Sequence, residues 1–286
     1  MIKLYLKEMR SPSVYNTLFI VTSICFVNLI SCQRNELSNK IIDSQSIDFE
    51  TKKFDIADNK YQTDPALQSH FTLEYPMIKD DISEIALQNI NAYIAGFILD
   101  SETPVKEFPN IQKQADKLFN EYGELYSEFP RTSTWIVDKQ IKVASKLGPL
   151  LCLSFSESSY KGGAHPNSNT FYKIFDLSDG HLVSMYDIID STKLIELNTI
   201  RLQTLKDQKN KILKEEDWKS YMFENVFEPK GSFNINNNLK VSKDTIEFYY
   251  NSYEIAAYAF GPTELKIPVN KIKSLLLKSS HYYQYF

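Results

Sequence analysis

Cysteine is scarce in this chain of 286 residues: there are three, at positions 25, 32 and 152. A leader cleaved before Cys32 takes Cys25 with it and leaves Cys152 alone in the body. That excludes a disulfide framework and a cysteine-rich metal site. Excess positive charge is missing too. The net charge is −4, so the chain has no basic footprint for a phosphate backbone and no nucleic acid is expected as a partner. The metallohydrolase pattern H-E-x-x-H, the phosphate-binding G-x4-G-K, the G-x-S-x-G elbow and the dinucleotide G-x-G-x-x-G are all absent. The four histidines, 70, 165, 181 and 281, stand singly. No catalytic set, cofactor or metal is therefore predicted. Carboxylates are plentiful, yet nothing marks two of them as the pair that cleaves a glycosidic bond.

What the chain does have is apolar and aromatic material, 43% and 13% of residues, with Tyr and Phe at 18 each. That is enough for a buried core and suits a sheet-rich protein. At the start, Lys3, Lys7 and Arg10 precede the apolar run Val14–Ile30, followed by Leu29-Ile30-Ser31-Cys32. A basic segment, a short apolar segment and a small residue before cysteine form the bacterial lipobox, whose cysteine is lipidated before cleavage. The run of roughly 17 apolar residues is short for a membrane span of ~20. Residues 1–31 thus read as a lipoprotein signal peptide and Cys32 as the lipidation site. The expected location is the cell envelope, lipid-anchored, at the outer membrane. Lys3, Lys7 and Arg10 against Glu8 give the leader +2, so the chain from Cys32 onward carries −6. Residues 32–46 are polar and aperiodic and read as a flexible tether.

The body is predicted to be α+β, with two lobes of antiparallel sheet covered by helices: an N-terminal domain over 47–159 and a C-terminal domain over 160–286. Alternation over Ile47–Ile56 and His70–Tyr75 predicts two strands, the second ending before Pro76. Asp81 and Glu84 are spaced as a capping box for a helix to about Leu99. Ile111, Ala115, Leu118, Phe119 and Tyr122 mark a second helix, from about Asn110 to Phe129. After Pro130 the period changes to two. Trp135–Ser145 and Leu150–Ser156 read as neighbouring strands, with Cys152 a buried or half-buried strand residue. Thr170–Leu177 is a strand closed by the Asp179-Gly180 turn, and His181 beside it reads as exposed turn chemistry. Further predictions are a helical turn over Met185–Ile189, helices over Ser191–Leu213 and Glu215–Val226, and strands over Phe233–Ile235, Thr245–Tyr250 and Glu264–Ile267. A last helix is expected over Asn270–Leu277.

Two stretches carry unusual chemistry. Tyr160-Lys-Gly162-Gly163-Ala164-His165-Pro166-Asn167 combines two glycines, which permit positive φ, with a proline that holds His165 extended. His165 is a candidate ligand or general base, its ordinary pKa lying near neutrality. The plainer alternative is a hydrogen bond that fixes the loop. Tyr253-Glu254-Ile255-Ala256-x-Tyr258-Ala259-x-Gly261 is the other. Together they nominate Tyr160, Gly162, Gly163, His165, Asn167, Tyr253, Glu254 and Tyr258 as a recognition edge, with packing of a sheet corner as the competing role.

These two blocks, with Phe175-Asp176-Leu177-x-x-Gly180 between them and Ile267-Pro268 after them, resemble the RsiV-like C-terminal domain family, a domain of unknown function. The part from about Ser69 to Ser159 is similar to the companion domain found in front of PdaC-type polysaccharide deacetylase domains. The resemblance implies a compact α+β module and, from the anti-sigma members, extracellular binding of lysozyme. This chain departs from those members: it has a lipobox where they have a transmembrane helix, and it lacks their sigma-binding segment. Deacetylase activity is not carried over. The expected function is a non-enzymatic binding module of the cell envelope, recognising a lysozyme-like hydrolase or peptidoglycan glycan. The alternatives are a cell-wall polysaccharide hydrolase or a deacetylase-associated protein. The acidic charge suits a basic partner such as a lysozyme.

Overall fold

The structure is a computed structural model that describes residues 47–61, 67–79, 82–130, 133–209 and 236–286. Cys32, its leader and tether, Asp81, and the helix and strand expected over 215–226 and 233–235 lie outside the described residues. Among the described residues the larger sheet has six strands in chain order: β1 (Phe49–Asp58), β2 (Ser69–Ile78), β3 (Ile136–Leu147), β4 (Leu150–Tyr160), β5 (Asn167–Asp176) and β6 (Leu182–Val183). Between β2 and β3 come α1 (Glu84–Ile98) and α2 (Ile111–Glu128). The α+β class with helix-covered sheets holds. One pairing departs from the antiparallel expectation: β2 and β3 run parallel, His70 beside Ile136 through Glu74 beside Gln140. Two helices separate these strands, and such a crossover returns the chain in the same direction. β4 and β5 pair from Leu150–Asp176 to Ser159–Asn167, across the expected 159/160 division. Pro76 lies inside β2, because its missing N–H falls beyond Glu74, the last residue paired to β3.

Alternation decides which face each strand buries. Phe71, Leu73 and Tyr75 of β2, Val137 and Ile141 of β3, and Leu151, Leu153 and Phe155 of β4 are buried and lie under the two helices. Each such side chain contributes about 1.5–3 kcal/mol when fully buried. α1 offers Ala86, Ile90, Ile94 and Ile98, and α2 offers Ile111, Ala115, Leu118, Phe119 and Tyr122. Phe97 meets Phe155 edge-on with ring centroids 5.4 Å apart, and Tyr93 meets Phe175 in the same way at 5.4 Å. The N-cap of α1 is Ser83, whose Oγ accepts from the N–H of Ala86 at 3.1 Å. Asn110 caps α2 through Lys113 N–H at 3.0 Å. At the other end of α1, buried Lys139 of β3 donates to the carbonyls of Phe97 (3.0 Å) and Ile98 (3.2 Å) and pairs with Asp100. A cation at a helix C-terminus meets the orphan carbonyls and the negative end of the helix dipole.

The opposite face, from Cys152 and Ile174, meets a smaller antiparallel sheet of β7 (Leu239–Val241), β8 (Thr245–Tyr250) and β9 (Thr263–Pro268). Ile246, Phe248, Leu265 and Ile267 are buried there. Short α3 (Met185–Ile188) and α4 (Leu194–Lys209) follow β6, and α4 packs on β9 with Leu197 and Leu205 in the same core. The last helix is shorter than expected: α5 spans Val269–Ile272 and tightens to a 3-10 turn at Lys273–Leu275. Cys152 is fully buried, and desolvation pushes its thiol up to about 12, which removes thiolate reactivity.

Candidate recognition edge

The β4–β5 hairpin loop and the Tyr253–Gly261 segment come together at one end of the larger sheet. In the loop Gly162 and Gly163 take φ of +92° and +105°. No atom lies within 4 Å of where a Cβ would stand on either glycine, so the constraint there is backbone conformation and not crowding. Tyr160 Oη donates to Gly163 O at 3.2 Å and holds the two ends of the turn together. His165 is stacked on Tyr258 with centroids 3.8 Å apart and planes 15° from parallel. Its Nδ1 lies 2.9 Å from the carbonyl of Pro166, and its Nε2 lies 3.2 Å from Tyr253 Oη. A carbonyl can only accept, so Nδ1 carries the proton and, in the neutral ring, Nε2 accepts from Tyr253. The Pro166 carbonyl also accepts from Tyr258 Oη at 2.9 Å.

Both ring nitrogens are engaged inside the cluster, the arrangement that the loop-fixing alternative describes. Tyr253 and Tyr258 lie 5.7 Å apart, centroid to centroid. Tyr253 is 52% exposed and Phe260 48% exposed, while Tyr258 is half-buried. The result is an apolar, hydroxyl-bearing surface of rings. Tyr253 sits at φ +69°, a conformation that costs a non-glycine residue roughly 1–2 kcal/mol.

The backing of this edge consists of asparagines that the sequence reading missed. Beyond its short pairing with β6, β5 pairs with no other strand from Asn167 to Lys173 on this side among the described residues. Asn251 Oδ1 accepts from Thr170 N–H at 2.6 Å, and its Nδ2 donates to Thr170 O at 3.1 Å and to Glu254 Oε1 at 3.0 Å. Asn238 Oδ1 accepts from Tyr172 N–H at 2.8 Å, with Nδ2 to Thr170 O at 2.8 Å. Side-chain amides thus continue the ladder where none of the described strands does, and they protect the edge. Glu254 also accepts from Asn236 at 3.2 Å. Asn167 is exposed at the start of β5. The run Asn236-Asn237-Asn238 and the Asn251 that follows β8 were the visible signal, since asparagine bonds backbone groups readily.

Away from this edge, buried Asp176 gathers the C-terminal turn. It accepts from Ser178 N–H (2.8 Å), Ser178 Oγ (2.7 Å) and Tyr282 Oη (2.7 Å), with His281 Nε2 at 3.4 Å. Burial by itself would raise its pKa, but these donors together lower it below the ordinary carboxylate value. His181 is exposed, with Nδ1 2.6 Å from Asp179 Oδ1. Among the described residues no three His, Cys, Asp or Glu side chains are grouped to hold a metal ion.

Residues 62–168 match the family described as "Deacetylase PdaC" and residues 167–270 the one described as "Protein of unknown function (DUF3298)". Two family patterns meet head to tail in this chain. The peptidoglycan-N-acetylmuramic acid deacetylase PdaC of Bacillus subtilis (strain 168) is 23% identical over 266 residues, covering 90% of this chain and 49% of the relative. The chain thus spans about half the length of that curated relative. A crystal structure of a DUF3298 family member from Bacteroides fragilis superposes with a TM-score of 0.68 at 19% identity, covering 85% of this chain and 98% of the other. A second, from Pseudomonas aeruginosa PAO1, gives 0.59 at 15% identity over 83% and 97%. At these identities the likeness establishes the fold. The meeting point, 167–168, is the start of β5, beside the recognition edge.

Proposed function

We propose that this chain is a bacterial cell-envelope binding module, held to the membrane by lipid at Cys32, whose His165–Tyr253–Tyr258 edge takes cell-wall glycan. The observation that carries the reading is the exposed ring cluster on a backbone held by side-chain amides. Aromatic rings with hydroxyl tips give large contact area at low entropic cost, and their fixed geometry removes part of the ordering cost of binding. Similarity to about half of a deacetylase named for peptidoglycan N-acetylmuramic acid supports the choice of glycan. The ring surface suits contact with a ligand's faces, so the role proposed is binding. Co-sedimentation of the purified body with insoluble peptidoglycan is the test. Wild type should be depleted from the supernatant, and Tyr253→Gly and Tyr258→Ala, folded by their unfolding curves, should remain in it. Retention of both variants at the wild-type level would remove the edge from the reading.

Net charge favours a second partner, a basic lysozyme-like protein, since −4 for the whole chain steers opposite charge toward it. Binding to immobilised hen lysozyme that weakens with salt and requires Tyr253 would support this reading over the glycan.

A further inference from the structure

On the face of the larger sheet opposite the small sheet, a cavity of about 480 Å³ opens between α1, the 101–104 loop and strands β4 and β5. Its floor is Phe155 and Phe171, directly opposed in register, with Lys173 two pairs further along on the same face, beside Leu153. Tyr93 and Phe97 of α1 form one wall, and Ser101–Pro104 forms the other. The walls are set in advance. Phe97 is fixed edge-on to Phe155 and Tyr93 to Phe175. Ser101 N–H bonds Gly96 O at 2.9 Å, Val105 N–H bonds Ala92 O at 2.9 Å, and Ser101 Oγ donates to Thr103 O at 2.8 Å. At Gly96 a Cβ would stand 2.8 Å from Thr103 O, so the loop lies against the helix where only glycine leaves room. Phe171 nevertheless remains 45% exposed, and Lys173 makes no ion pair among the described residues.

We infer that this groove binds a small amphiphilic carboxylate, its apolar body on Phe155 and Phe171 and its carboxylate on Lys173. The volume lies in the range of small-molecule sites, and the lining combines four aromatic rings with a few polar groups that orient the ligand. Lys173 supplies the charge complement. Glu102 on the opposite rim repels an anion, so the acid end of the ligand faces the sheet and not the loop. The site is independent of the glycan-binding edge, because Phe171 and Tyr172 alternate. Tyr172 turns to the small sheet, where it meets Tyr249 at 5.8 Å, and Phe171 turns to α1.

The test is calorimetric titration of the full chain with 4-phenylbutyrate and with its uncharged amide. The acid should bind saturably and more tightly than the amide. Lys173→Met, which keeps the apolar stem, should weaken the acid about fivefold, the scale of a part-exposed ion pair, and leave the amide unchanged. Phe171→Ala should weaken both. His165→Ala should alter neither, which separates this site from the edge. All three substituted positions are exposed, so the fold should survive, and Lys173→Met carries the test if Phe171→Ala does not fold. The inference is overturned by no saturable binding of the acid, by equal affinity for acid and amide, or by loss of binding in His165→Ala with Lys173→Met unaffected.

Discussion

At Tyr253, glycine should be more stable than alanine, the reverse of the usual order at an exposed site. Its φ of +69° costs a residue with a Cβ roughly 1–2 kcal/mol, and alanine inherits that cost while glycine does not. Glycine gives back about 0.4–1 kcal/mol through the freedom of its unfolded chain. The ring itself is about half exposed, so its removal forfeits no more than about 1 kcal/mol of burial. Loss of its bond to His165 (3.2 Å) adds about 0.5–1.5 kcal/mol. Tyr253→Ala should therefore lose about 1–2 kcal/mol and Tyr253→Gly about half that. With about 1 kcal/mol corresponding to ~2–4 °C in a domain of this size, calorimetry resolves the order. Peptidoglycan retention should fall in both variants. If alanine proves the more stable, strain at position 253 is not what the backbone angle says. If either variant loses the ~3–5 kcal/mol of a truncated core aromatic, the ring is packing the corner of the sheet and the recognition edge fails at its most exposed member. The position would then be structural. Strain held at a surface residue is otherwise a mark of function, because the surroundings must over-determine it.

Asn251→Ala strands Thr170 N–H at the edge of β5, while Thr170 O keeps the amide of Asn238, and should cost about 1–3 kcal/mol, visible as a lower denaturant midpoint with an unchanged slope; a null effect would mean water replaces the amide. Asp176→Asn should be less stable than wild type at neutral pH. Because the folded pKa of Asp176 is lowered, its contribution is present above the unfolded value of about 3.9 and is lost as pH falls through the folded one. The gap between the two proteins should therefore close below about pH 4, and a gap that is constant down to acid unfolding would contradict the assignment. Fatty-acid labelling in a bacterial host should mark the wild type and spare Cys32→Ser, with equal incorporation in both ruling out lipid at that cysteine.

Elements held by local rules were legible along the chain. The two-residue period of β3, β4 and β8, the apolar stripes of α1 and α2, the start of α2 near Asn110 and the Asp179-Gly180 turn follow from side-chain spacing and backbone preference, and each lies within a few residues of its expected place. The loop and the Tyr253 segment were nominated on the same footing, as glycine and aromatic residues between strands. What decides their chemistry is long-range. His165 meets Tyr253 and Tyr258 across about ninety residues of chain, and which imidazole nitrogen holds the proton depends on that meeting. The parallel register of β2 and β3 was hidden because periodicity tells which face a strand buries but not its neighbour or direction. The cap of α1 was misplaced for a related reason: Ser83 both caps the helix and donates to Ser178 O at 2.8 Å, a contact between residues 95 apart that selects it. The asparagines backing β5 and the groove over Phe171 likewise exist only between segments. Sequence alone determined the local conformations and the candidate residues, because those depend on neighbours along the chain. Tertiary structure decided which strand edge the asparagine amides cover, what the imidazole of His165 touches and which lysine faces the groove, because burial and hydrogen-bond partners are properties of neighbours in space.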